Sequence, residues 1–419
     1  MKSYTLPPHK YKWSFLVSFF ILLVLLLPDD VFGLLAVYSS KTPNSIDYKW
    51  LDYRYGIIYF VISIIGIILV LRRWQIGLFL VVFVILLREV LIAITGNASL
   101  FFEGAYEMYL SMFVGYSLLI MAVFFLKDQL NLEWLFGLFL ISNMLTIFLQ
   151  YVLGRGGNED GRYYCTNLDV GGSGVLCVLC ILYLFFISRK TIINYIFVYL
   201  SFVGLWLTGS RSNLAFLLLI FTIYYAGNIA TGRWKRIGDK RFVVILIPVL
   251  LIIILLCINS SFVENNRMVT TLSGESLEDD SSVLGRTASI LAGFDIIQKH
   301  WWGISGFFVN LQREMTVRDF PTFPHSTFVA LYILFGPIIL ALYYYWLILL
   351  WKMKNKLNNG YFWIIVYLIV STIVYGGPIV NFKIYFEMML ATYLAARSTK
   401  IQQILRIWCH KHIVTIKDE

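Results

Sequence analysis

From Trp134 to Leu153 the chain reads WLFGLFLISNMLTIFLQYVL, twenty residues without a charged side chain. A helix crossing about 30 Å of hydrocarbon needs about 20 mostly apolar residues, so this stretch reads as one membrane span. Similar runs recur on both sides of it, at approximately 13–27, 56–71, 76–95, 108–126, 171–188, 192–208, 212–229, 242–258, 325–350, 361–376 and 379–396, twelve in all. Across all 419 residues, 59% are hydrophobic and 14% charged, with a mean hydropathy of +0.76, which excludes an ordinary soluble enzyme. The expected fold is all-α: a polytopic integral membrane bundle of about twelve transmembrane helices, forming one domain over 1–419.

Lys and Arg accumulate on the cytoplasmic side of membrane spans. Residues 1–12, 72–75, 127–133, 189–190, 230–241, 351–360 and 397–419 together hold 21 Lys plus Arg against 5 Asp plus Glu. The opposite gaps and span ends hold 12 basic and 18 acidic residues, and Arg88 and Glu89 cancel inside a span. This alternation predicts that both termini are cytoplasmic. It also attributes the net charge of +10 to topology and anionic headgroups rather than to nucleic acid. The first run is expected to stay as a span, because Pro28-Asp29-Asp30 follows it instead of a small-residue cleavage site.

The five cysteines imply no disulfide framework. Cys177, Cys180 and Cys257 fall in spans, Cys165 in an outer loop and Cys409 in the cytoplasmic tail. The Cys177–Cys180 spacing within lipid reads as small apolar packing. No P-loop, HExxH, paired CxxC or GxSxG motif occurs, and no metal site or cofactor is expected.

The longest stretch outside the spans, 259–324, is expected to be a large outer loop, acidic and serine-rich at Ser273–Ser282. From Gly285 to Trp302 the spacing puts Ile290, Phe294, Ile297 and Trp301 on one helical face, with Asp295, Gln298 and Lys299 opposite. That pattern suits an amphipathic helix in the membrane interface. Arg286 would start this helix, adding charge to the free amides of its N-terminus, or would snorkel to headgroups. His300 lies fourteen residues further on, about 21 Å at 1.5 Å per residue, so the two cannot hold one small group together. Gly303-Ile-Ser-Gly306 breaks the helix, and His325 sits at the outer mouth of the next span. Arg211, in the turn Thr208-Gly-Ser-Arg211-Ser-Asn213, is expected on the same outer face, as are Arg155, Arg162 and Tyr163 in the loop after the 134–153 span.

Four segments in this order, Gly209-Ser-Arg211-Ser, Gly285-Arg286, His300-Trp-Trp-Gly303-Ile-Ser-Gly306, and His325 leading to Leu334-Phe-Gly336-Pro, resemble the O-antigen polymerase and O-antigen ligase superfamily. Two positions depart from the family pattern. Ser326 follows His325 where asparagine is common, and a tryptophan, Trp301 or Trp302, replaces a proline before the Gly-x-Gly segment.

The resemblance implies transfer of a glycan from a polyprenyl-pyrophosphate carrier to a sugar hydroxyl at the outer face of a bacterial cytoplasmic membrane. Arg211 and Arg286 would hold the pyrophosphate, whose charge grows as the glycosidic bond breaks. His325 would act as general base, with neighbouring arginines favouring its neutral form and supplying the charge neutralisation. Arg155, Arg162, Tyr163 and His300 would contact substrate, although His300 also reads as part of an interfacial aromatic belt. The expected activity is polymerisation of lipid-linked repeat units for capsule, exopolysaccharide or O-antigen, with a flippase and a chain-length regulator as pathway partners. The alternatives are a ligase of finished glycan or a transporter of lipid-linked sugar.

Overall fold

The computed structural model describes residues 132–152, 162–165, 170–188, 191–230, 281–304, 308–320, 324–353, 359–374 and 386–399. The spans read at 13–27, 56–71, 76–95, 108–126 and 242–258, the Arg88–Glu89 pair, Arg155 and both termini lie outside the described residues.

Among the described residues every regular element is helical. Hydrocarbon offers no hydrogen bonds, so an apolar chain satisfies its backbone within each segment. The helices are α1 Leu132–Val152, α2 Val170–Phe186, α3 Ile192–Thr208 and α4 Arg211–Ala230. After them come α5 Ser281–Lys299, α6 Phe308–Thr316 and α7 Thr327–Phe335. A 3₁₀ turn at Gly336–Ile338 leads to α8 Ile339–Lys352, then α9 Gly360–Val374 and α10 at 386–399. By length and composition, Leu132–Val152, Arg211–Ala230 and Thr327–Lys352 are long and apolar enough to cross a membrane. The chain is an integral membrane protein.

The helices form two cores. One joins α1 to α4 with α8, α9 and α10; the other joins α5, α6 and α7 around Ile296, Leu311, Met315, Val329 and Leu334. In the larger core, small residues allow close approach, as they do where dispersion rather than hydrophobicity drives helix association. A Cβ on Gly174 of α2 would lie 2.5 Å from Asn213 Nδ2 of α4, so glycine is what lets these helices meet. At the far end of the same helices, Phe186 lies edge-on to Tyr224, with ring centroids 4.9 Å apart, and stacks on Trp363 at 6.0 Å. The bundle thus has two ends. One gathers the start of α2, the end of α3 and the start of α4; the other gathers the end of α2, the later part of α4 and the start of α9.

The single span expected over 325–350 is corrected. In a straight helix Phe328 and Tyr343, fifteen residues apart, would be separated by about 22 Å at 1.5 Å per residue. Their rings meet edge to face at 5.0 Å. The chain therefore folds back at Gly336-Pro337. Gly336 has φ 66° and ψ −154°, a region open essentially to glycine alone. A Cβ there would also collide with the Trp302 carbonyl. Length and composition alone thus overstate 327–352 as one crossing: α7 belongs to the second core, and α8 continues into the bundle.

The reading of α5 is corrected in two respects. The helix begins at Ser281, not Gly285, so Arg286 sits in its second turn rather than at the free amides of its N-terminus. The four apolar residues placed on one face also divide: Ile290 and Ile297 pack on the second core, whereas Phe294 and Trp301 are exposed. The buried side is set by Ser289, Gly293 and Ile296, which follow helical i, i+4, i+7 spacing. Helix α6, whose Leu311 and Met315 are buried at i, i+4 spacing, adds an element within the expected loop. Cys165, expected in that family of outer loops, is buried, and its thiol donates to the Asn143 carbonyl at 3.1 Å.

Candidate functional site

The site is built at the bundle end where α3 stops. Gly209 takes a left-handed φ of 62° and its amide donates to the Trp206 carbonyl, closing α3 and turning the chain so that α4 starts at Arg211. Arg211 is half-buried. The segment around Arg162 lies against this turn: the Tyr163 amide donates to the Leu207 carbonyl at 3.0 Å, and the Arg162 side chain runs over Gly209. Tyr163 meets Tyr151 edge to face, with centroids 5.1 Å apart. Arg162, Tyr163 and Arg211 are therefore neighbours, although 49 positions separate the first from the last.

Asn213 fixes the first turn of α4. It is fully buried, and its Nδ2 donates to the Gly171 carbonyl at 3.2 Å and to Ser210 Oγ at 2.8 Å. Its Oδ1 accepts from Tyr367 Oη of α9 at 2.7 Å. One amide thus ties α2, α4 and α9 together, two residues from Arg211.

His325 and Arg286 come together in the second core. Gly293 gives α5 its close approach to α7, since a Cβ there would lie 2.6 Å from Val329 Cγ1 and 3.3 Å from Pro324 Cγ. Ser289 Oγ donates to the Arg286 carbonyl at 2.8 Å and accepts from the His325 amide at 3.3 Å, linking the two backbones directly. His325 is half-buried. Burial lowers the imidazole's pKa below its ordinary value, and the Arg286 charge lowers it further, so the neutral ring is favoured.

Ser326 joins the two cores. Its Oγ caps α7 by accepting from the Val329 amide at 3.3 Å, and its hydroxyl donates to the Ile373 carbonyl of α9 at 2.5 Å. Ile373 lies in the last turn of α9, where carbonyls have no partner within the helix. Serine and asparagine are both strong N-cap residues, so the departure at this position conserves chemistry.

His300 is placed apart. It is exposed just beyond the end of α5, at the opposite end of that helix from Arg286, as the spacing predicted. Of the two exposed tryptophans that follow it, Trp302 brings its backbone carbonyl against Gly336 at the α7–α8 bend, and the Ile304 amide donates to the Ile333 carbonyl at 2.8 Å. The backbone of 302–304 thus meets Ile333 and Gly336, while Gly306 lies outside the described residues.

Sequence reasoning passed over Ser289 and Tyr367, and named Asn213 and Ser326 only as neighbours of Arg211 and His325, without a role. Their types carry no chemical signature, and their roles depend on partners 36 to 154 positions away. It also passed over Arg318, which pairs with Asp295 at 2.8 Å and Glu314 at 2.9 Å, fastening the turn after α6 to α5. These hydrogen bonds from Arg318, then from Lys299, lower the Asp295 carboxyl below its ordinary pKa.

No match is found among curated proteins. Residues 195–344 match the family model described as O-antigen ligase. That stretch begins early in α3, contains Arg211, Arg286 and His325, and ends in α8. The match places this part of the chain, with the three residues singled out from sequence, in the O-antigen ligase/polymerase superfamily.

Proposed function

We propose that the protein polymerises lipid-linked oligosaccharide repeat units, using Arg211, Arg286 and His325 at the outer face of a bacterial cytoplasmic membrane. The observation that carries this reading is the junction of Arg286 and His325 through Ser289, which puts a fixed cation beside a half-buried, neutral-favouring imidazole.

In this reaction the acceptor hydroxyl oxygen attacks the anomeric carbon of the donor sugar. The bond from that carbon to the pyrophosphate oxygen breaks, and its electron pair leaves with the phosphate. Arg286 and Arg211 receive that growing charge, which arginine's planar fork meets with two parallel hydrogen bonds. His325 takes the hydroxyl proton, a role for which a neutral imidazole near pH 7 is suited. Arg162 and Tyr163, beside the Gly209–Arg211 turn, offer a cation and a ring face to the glycan.

The test uses full-length protein in lipid nanodiscs with undecaprenyl-pyrophosphate-linked repeat units from the cells that make it. A ladder of longer lipid-linked glycans is expected. His325→Ala and Arg286→Ala should each lower turnover by at least about 100-fold, the scale for losing a general base or a charge-stabilising group. Wild-type ladders from both variants would refute the reading. Consumption of donor without a ladder, with glycan appearing on a different acceptor, would identify a ligase instead.

A further inference from the structure

The proposed chemistry needs Arg211 and His325 to address the same donor, yet they stand in different cores. Arg211 starts α4 in the large bundle, whereas His325 and Arg286 belong to the unit of α5, α6 and α7. Helix α9 touches both. Tyr367 of α9 donates to Asn213, two residues after Arg211, and the Ile373 carbonyl of α9 accepts from Ser326, the residue after His325. Tyr367 and Ile373 are six residues apart, about 9 Å along a helix axis. A rigid helix therefore holds the two anchor points at a fixed spacing.

We propose that α9 is a strut that sets the two halves of the site against each other, with Tyr367, Asn213 and Ser326 as positioning residues. Resting on the transfer reading above, it assigns work to three residues that touch neither pyrophosphate nor sugar. Tyr367 and Asn213 are fully buried, so their bond is shielded from water and selects one arrangement of the α4 start. Ser326 is also buried and uses its single hydroxyl twice, as acceptor from Val329 and donor to Ile373. Losing that hydroxyl would free both the α7 start and the α9 end, and His325 moves with the first.

A displaced strut should harm transfer more than binding, because each arginine still meets the pyrophosphate while the attacking hydroxyl is no longer aligned. A misplacement of about 1 Å can cost about 100-fold in rate. We therefore expect Tyr367→Phe and Ser326→Ala to lower kcat by about 10- to 100-fold, with binding of undecaprenyl pyrophosphate changed less than about threefold, under about 0.7 kcal/mol. Ser326→Thr, which keeps the hydroxyl, should restore turnover. Asn213→Ala combined with Tyr367→Phe should cost no more than the worse single change, because both remove one interaction.

Three results would overturn the proposal. The first is kcat within about twofold of wild type in both Tyr367→Phe and Ser326→Ala while His325→Ala is inactive, which leaves the transfer reading standing. The second is parallel loss of turnover, inhibitor binding and thermal stability in both variants, which marks a merely structural role. The third is full activity of His325→Ala and Arg286→Ala, which removes the transfer reading and the strut with it.

Discussion

His325 and its neighbours carry the sharpest expectations at the scale of single residues. A base that must be neutral works better as pH rises through its pKa. Burial and Arg286 both lower that pKa, so the acidic limb of the kcat–pH profile should lie below the ordinary histidine value of about 6.5. Arg286→Gln removes the smaller of the two causes. Its residual activity should show the limb moved upward, toward but not reaching the ordinary value, because burial persists. A limb that stays in place in Arg286→Gln would mean that another group titrates. The same sign applies to folding: the native state resists protonating His325, so its contribution to stability declines as pH falls below about 6.5. The resemblance to the O-antigen polymerase and ligase superfamily singled out Arg286 and His325, whose types suit the roles it implies. Sequence alone could assign no role to Ser289 or Ser326, since serine is common and only its partners give it meaning.

Two glycines decide the geometry at the scale of helices. Gly293 lets α5 approach α7 beside Pro324 and Val329, one turn from Ser289. Gly293→Leu should push the helices apart, costing about 1–3 kcal/mol of stability as overpacking does. It should also raise the His325 pKa by moving Arg286 away, measurable as an upward shift of the same acidic limb. Gly336 is a different case, because both its positive φ and the Trp302 carbonyl exclude a side chain. Gly336→Ala should therefore lower the thermal melting temperature in detergent more than Gly293→Ala does. Equal melting temperatures would show that the bend relaxes freely. The bend itself was not legible in the sequence. An apolar run of 26 residues from Thr327 to Lys352 looks like one long span, and Gly-Pro within it marks only that something breaks.

At the scale of the molecule, the described residues form an all-helical membrane protein, and the charge alternation of the sequence predicts a basic cytoplasmic side. The charge alternation predicts that residues 259–324 face outward, so a cysteine at exposed Gln298 should react with a membrane-impermeant maleimide in intact spheroplasts. Cys165, Cys177 and Cys180 are buried and should stay unlabelled. With Cys257→Ser as background, Cys409 should react only after permeabilisation. Labelling of Gln298→Cys that also needs permeabilisation would reverse the assigned orientation.

The sequence by itself determined the helical class and the approximate bounds of α1 to α4. Membrane hydrocarbon forces long apolar runs into helices whatever their neighbours. It also singled out Arg211, Arg286 and His325 as candidates through the resemblance to the O-antigen polymerase and ligase superfamily, whose implied chemistry suits fixed cations and a base near neutrality. Only the tertiary structure decided that α7 folds back from α8, that Ser289 joins Arg286 to His325, and that α9 touches both halves of the site. Those features rest on contacts between residues far apart in the chain. Hydrophobic periodicity within a segment records which face is buried, and carries no information about the partner that buries it.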